Sequence, residues 1–233
     1  MMKRARLVAG VVLLAVIQLC WTTLPAAAQT APSQGDIEGY RGLHRGAHDG
    51  DVAAIRKHVA DGADLEARDR AGRTPLHVAA FASQDEAVRA LAEAGADLDA
   101  LEHRAYDIVT IAAVANDIDM VDLSLTLGAG AGNVTSPYDG TALIAAAHLG
   151  HHEVVRRLIE GGAPLDHVNN LDWTALIEAV VLGDGGPDHI ETVRALVEAG
   201  ARQSITDGEG VTPLEHARAR GYEEIVEILE SAN

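Results

Sequence analysis

Apolar residues recur along most of this chain in short clusters with helical spacing. Val154, Val155, Leu158 and Ile159 form one such stripe, and Ile225, Val226, Ile228 and Leu229 form another. Ahead of these stripes lie segments centred on alanine pairs, Ala79-Ala80, Ala112-Ala113 and Ala146-Ala147. Gly50, Asn116, Gly150 and Gly221 stand between the two kinds of segment, where a chain must turn. The pattern predicts thin helices built on alanine alternating with amphipathic ones. No single pair of such helices could bury its apolar surface alone, but a stack of pairs could.

The alternation is periodic. Thr74-Pro75-Leu76-His77-Val78-Ala79-Ala80 is echoed by Thr141-Ala142-Leu143-Ile144-Ala145-Ala146-Ala147, by Thr174-Ala175-Leu176-Ile177-Glu178-Ala179 and by Thr212-Pro213-Leu214-Glu215-His216-Ala217. A second phrase follows each start, as Gly62-Ala63-Asp64, Gly95-Ala96-Asp97, Gly128-Ala129-Gly130, Gly162-Ala163-Pro164 and Gly200-Ala201-Arg202. Its glycines lie 33, 33, 34 and 38 residues apart, a period that means a solenoid. Threonine can cap a helix with its hydroxyl, and proline suits a first turn whose N–H has no partner. Glycine can close the second helix in the left-handed region.

With Gly150-His151-His152-Glu153-Val154-Val155 added, these phrases resemble ankyrin repeats from about Tyr40 to Leu229. The resemblance implies an all-α solenoid of about six helix-turn-helix units with short hairpin-like fingers, forming one domain over residues 39–233. It also implies a concave face that binds proteins, and a structural role for His44 and His77 in tying neighbouring hairpins together. Three units depart from the pattern. The first has Arg41-Gly42 where Thr-Pro is expected and reads as a cap. The third opens with Asp107-Ile108-Val109-Thr110. The fifth carries extra residues around Asp184-Gly185-Gly186-Pro187-Asp188. Glu223, Glu224, Glu227 and Glu230 are expected on the polar outside of the last unit.

The amino terminus has a different character. Lys3, Arg4 and Arg6 precede an apolar run from Leu7 to Leu19, and Ala26 and Ala28 supply an A-x-A ending. That order describes a secretory signal peptide over residues 1–28, cleaved after Ala28. An uncleaved anchor is the alternative, but the run falls short of the roughly 20 residues a span needs. Residues 29–38, small and polar, read as a flexible leader. The expected location is the periplasm or the outside of the cell. Cys20 is the only cysteine and lies within the signal, so the mature chain would have neither disulfides nor a thiolate nucleophile.

The formal net charge is −17, and losing a signal with basic but no acidic residues makes it more negative. Such a surface repels nucleic acid and anionic membranes. It serves solubility, and it would equally suit a basic protein partner. A monomer is expected.

Candidate chemistry is sparse. His148, His151, His152 and Glu153 raise a metal-dependent hydrolase as the alternative function, but they straddle the turn at Gly150, where helical ligand spacing does not apply. The acidic pairs do not have calcium-loop spacing, and neither a phosphate loop nor a nucleophile elbow is present. The expectation is therefore a binding protein with no enzymatic activity and no cofactor. Its partner would be another protein, as an envelope enzyme's stabilising partner or a toxin's inhibitor. The residues after each alanine pair should face the groove: His48-Asp49, Phe81-Ala82, Val114-Ala115, His148-Leu149, Val181-Leu182 and Ala219-Arg220. The residue before each helix-opening position should project near the hairpins: Arg73, Tyr106, Gly140, Trp173 and Val211. Of these, Phe81, Tyr106, Val114, His148, Leu149, Trp173, Val181, Leu182 and Arg220 form the candidate binding set, with Val114 and Val181 equally suited to packing on the next repeat.

Overall fold

The computed structural model describes Gln29 and residues 31–231, and these contain thirteen helices and no strand. After α1 (Gln34–Gly39) come six pairs: α2 (Gly42–Asp49) with α3 (Val52–Ala60), α4 (Pro75–Phe81) with α5 (Asp85–Glu93), and α6 (Ile108–Ala115) with α7 (Ile118–Leu127). They continue as α8 (Ala142–Leu149) with α9 (His152–Glu160), α10 (Ala175–Val181) with α11 (Pro187–Glu198), and α12 (Pro213–Arg220) with α13 (Glu223–Ser231). The even-numbered helices stack in an inner layer and their partners in an outer one. The result is the all-α solenoid of six units that the repeats predicted. None of the described helices is long and apolar enough to cross a membrane. The expected signal over residues 1–28 lies outside the described residues.

Local chemistry starts and stops each helix. Thr74, Thr141, Thr174 and Thr212 cap the inner helices, each accepting an N–H three residues on. In the third unit Asp107 does the same work, accepting from the Thr110 N–H at 2.8 Å. Gly50, Asn116, Gly150 and Gly221 close inner helices in the left-handed region. The glycine of the second phrase also has positive φ in all five units where the sequence shows it, from +82° at Gly62 to +104° at Gly128.

The inner layer is thin where it must be. Ala47, Ala79, Ala113, Ala146, Ala147, Ala179 and Ala217 are fully buried. Larger side chains fill the space between layers, Leu76, Leu143 and Leu176 meeting Leu91, Leu158 and Leu196 from the outer helices. Glu223, Glu224, Glu227 and Glu230 are exposed on the last helix, as expected of an end cap.

Fingers project between the pairs, and polar braces hold them. Asp69, Asn169 and Asp207 each accept two N–H groups of their own turn through one side-chain oxygen, and Glu102 does likewise. Side chains then bind each finger to its neighbour. His77 accepts the Thr74 N–H at Nδ1 and donates from Nε2 to the Tyr106 carbonyl at 3.1 Å. His44 Nε2 donates to the Arg73 carbonyl at 3.0 Å. The structural role implied for these two histidines is what the geometry gives them.

The leader departs from expectation. Residues 29–38 read as flexible, yet Ser33 caps α1 through a reciprocal pair of bonds with Asp36. Asp36 then pairs with Arg70 and Arg73, both at 3.1 Å. Arg73 is 1% exposed, and a buried guanidinium is costly unless it is paired. Asp36 and Asp69 supply that pairing, and the Tyr40 hydroxyl donates to Asp69 at 2.9 Å. Ordering of α1 thus follows from a cation one repeat away. Hydrogen bonds from Ser33, with Arg73 and Arg70 adding to them, hold the Asp36 carboxyl well below the carboxylate range. Burial opposes the same shift at Asp69, but the N–H groups and guanidinium of Arg73 outweigh it.

Two predictions follow from this packing. Ala146→Leu drives bulk into the contact between α8 and its inner neighbours, and should cost about 1–3 kcal/mol in urea melts. Replacement of the exposed Glu227 should change stability by less than about 0.5 kcal/mol. The second concerns acid. Burial pushes the His77 imidazole from its ordinary 6.5 down to about 4. The folded state therefore disfavours its protonation, and stability present above 6.5 is lost as pH falls toward 4. The contributions of Asp36 and Asp69 are lost only at still lower pH, below the ordinary carboxylate value. Melting curves from pH 7.5 to 4 should show the decline, and His77→Gln should flatten it between 6.5 and 4.

Candidate protein-binding surface

The concave face is not uniform, because the inner helices differ at two positions. The residue ahead of the helix-capping position is Arg73, Tyr106, Gly140, Trp173 and Val211 in successive units. The residue four positions after the cap is Val78, Ile111, Ala145, Glu178 and His216. The fourth unit has the smallest residue of each set, Gly140 and Ala145. A recess of about 150 Å³ opens there between the third and fifth units. Tyr106 and Val114 line it from one side, Asn169 and Glu178 from the other. Ile144, His148 and Leu149 belong to the fourth unit itself, and Tyr138 comes from its finger.

The recess is mostly apolar with one acidic wall. Glu178 is 4% exposed and accepts from Asn169 Nδ2 and His148 Nδ1, each at 3.0 Å. Leu149 stands at the rim, 42% exposed. Gln29, from the leader, also touches the recess.

Of the candidate set, Tyr106, Val114, His148 and Leu149 come together here. Tyr106 does not project from its hairpin as expected. It is 7% exposed, held against the core while its carbonyl binds His77. Arg73 is turned inward likewise. Phe81, Trp173 and Val181 are half-buried and lie outside the recess, Phe81 packing on the core. Leu182 is 41% exposed one repeat along. Arg220 folds back, donating from Nη2 to the Val181 carbonyl at 2.9 Å.

Several exposed apolar residues escaped the sequence reading. Tyr138, Val168 and Leu171 sit on the fingers of the fourth and fifth units, where register gives no hydrophobic period to follow. Glu178 escaped too. The signal for it was available, since the equivalent residues in the second, third and fourth units are Val78, Ile111 and Ala145.

The histidines of the metal alternative have separate partners. His148 binds Glu178, His151 Nδ1 donates to the Ala113 carbonyl at 2.9 Å, and His152 lies between Glu153 and Asp188. Among the described residues, no group of three or more His, Cys, Asp or Glu side chains is arranged to hold a metal ion.

Stacked helix pairs, ordered fingers and an exposed apolar groove define a helical-repeat scaffold of the protein-interaction class. Residues 71–103 match the ankyrin repeat family, and residues 109–207 match its tandem three-copy form. The chain belongs to the ankyrin repeat family. It is 34% identical over 187 residues to the ankyrin repeat protein YahD of Escherichia coli strain K12, covering 80% of this chain and 92% of that one. Its fold matches an ankyrin repeat domain of Acinetobacter baumannii AYE, ABAYE2397, with a TM-score of 0.77 and 40% identity over 82% of this chain and 96% of that chain. The ankyrin repeat protein EF0377 superposes with a TM-score of 0.74 and 31% identity, covering 83% and 100% of the two chains. Members of this family are generally interaction modules rather than enzymes.

Proposed function

We propose that this chain is an exported module that binds another protein through the concave edge of its fourth and fifth repeats. The observation that carries the reading is the exposure of Leu149 and Leu182 at equivalent ends of consecutive inner helices, with the exposed Tyr138 lining the same recess as Leu149. Apolar side chains exposed together across neighbouring repeats are costly unless a partner covers them. The rigid stack holds them in place before binding, which lowers the entropy lost on association. The sequence of residues 1–28 supports export, and a periplasmic location follows from that reading. The partner would be an envelope enzyme that the array stabilises or a toxin that it neutralises.

Export is checked by the intact mass of the protein recovered from an envelope fraction. The expected species begins at Gln29, and one that retains residues 1–28 would replace the periplasmic module with an anchored one. Binding is checked by affinity capture from an envelope extract with mass spectrometry. Leu149→Ala and Leu182→Ala should each weaken capture of the wild-type partner by more than about 1 kcal/mol with unchanged circular dichroism. Glu227→Lys, on the outer layer, should not. The reverse order would move the binding surface to the outer helices.

A further inference from the structure

We infer that the recess of the fourth repeat is a socket for a single arginine side chain presented by the protein partner. The inference rests on the reading of the concave face as a protein-binding surface, and it adds the chemistry that the surface selects.

The socket exists because two side chains are missing from it. Where other units place Tyr106 or Trp173 and Ile111 or Glu178, the fourth has Gly140 and Ala145. The space left, about 150 Å³, has room for an unbranched side chain. Tyr106, Val114 and Ile144 line it with apolar surface, which suits a methylene stem.

Glu178 gives the socket its polarity. Its carboxylate has about four acceptor positions, and the N–H groups of Asn169 and His148 occupy one at each oxygen. Among the described residues no lysine or arginine pairs with it. The chain treats another buried carboxylate differently: Asp69 is bound at 2.8 Å by the guanidinium of Arg73. A carboxylate in an apolar recess attracts a cation strongly, because little water screens the pair. A guanidinium has five donors in a planar fork and can take both remaining positions at once, which an ammonium does less well.

Gln29 shows that a linear side chain can lie against this recess. Its Nε2 is buried there with no hydrogen-bond partner, so its amide head does not satisfy Glu178. An arginine is longer by two atoms and charged. The formal net charge of −17 also draws basic segments toward the array, while the socket decides where one docks.

The test titrates the full-length chain with capped alanine pentapeptides whose central residue is arginine, lysine, citrulline or norleucine, followed by NMR. The arginine peptide should shift the resonances of Ala145 and Glu178 and bind at least tenfold more tightly than the norleucine peptide. Citrulline, which keeps the shape and loses the charge, should fall between them. Glu178→Gln should erase the arginine preference. Ala145→Ile, which puts at this position the side chain that Ile111 has one repeat earlier, should abolish binding of all four without unfolding the array. Equal affinity for arginine and norleucine, an undiminished preference in Glu178→Gln, or no shift at Ala145 would overturn the socket. Capture of a protein partner that depends on Leu149 but survives Ala145→Ile and Glu178→Gln would overturn it while leaving the groove reading intact.

Discussion

The close approach of the six inner helices governs this structure. Their backbones can come together only because alanine occupies the contact, at Ala47, Ala79, Ala113, Ala146, Ala179 and Ala217, all fully buried. Once that approach is fixed, the outer helices lie where leucine and valine can reach between layers, and each pair takes its place relative to the last. Stability in such an array is a sum over repeats and the contacts between neighbours. The ends therefore need special treatment. α1 is tied to the first finger by ion pairs from Asp36 to Arg70 and the buried Arg73, and the glutamates of α13 face water at the last.

Polar groups do a second job in the same architecture, setting the pitch of the fingers. A side-chain oxygen closes each turn internally, and His44 and His77 reach forward to the carbonyl that precedes the next helix. In the third unit, where threonine stands in place of that histidine, Thr110 and Thr135 share a bond of 2.9 Å. Buried polar groups are tolerable only when satisfied, so these bonds also specify which register the repeats adopt. At His77 the requirement is directional. One nitrogen accepts and the other donates, which the neutral ring can do and the protonated ring cannot.

Function enters where the repeats stop being alike. The fourth unit gives up side-chain volume at Gly140 and Ala145, and the fifth places an acid at Glu178 where three earlier units have apolar residues. Neither change improves the stack by itself. A void forfeits packing contacts, and a buried carboxylate without a cation costs more than one with it. Such local departures from an otherwise consistent pattern are where binding chemistry is expected. The insertion at Asp184–Asp188 belongs with them: His189 spans from Asp184 to the His148 carbonyl, tying the fifth unit to the helix that carries the rim residue Leu149.

What the sequence determined was everything that repeats. The period, the caps at Thr74, Thr141, Thr174 and Thr212, and the left-handed glycines at Gly62 to Gly200 follow from local backbone chemistry. Local chemistry is legible wherever it recurs in register. The groove was legible in part, since Val114, His148 and Leu149 were placed on it by register alone. Tertiary structure decided the rest. Arg73 and Tyr106 occupy a position that register assigned to the hairpin surface, yet both are buried, because the N-terminal helix brings Asp36 to one and the core receives the other. The order of residues 33–39 rests on that same long-range pairing, which composition could not show. Glu178 became a feature of the groove only when Asn169 and His148, nine and thirty residues away, closed around it. A side chain's direction is set by the neighbours that fold against it, and those neighbours lie one repeat away in space rather than beside it in the chain.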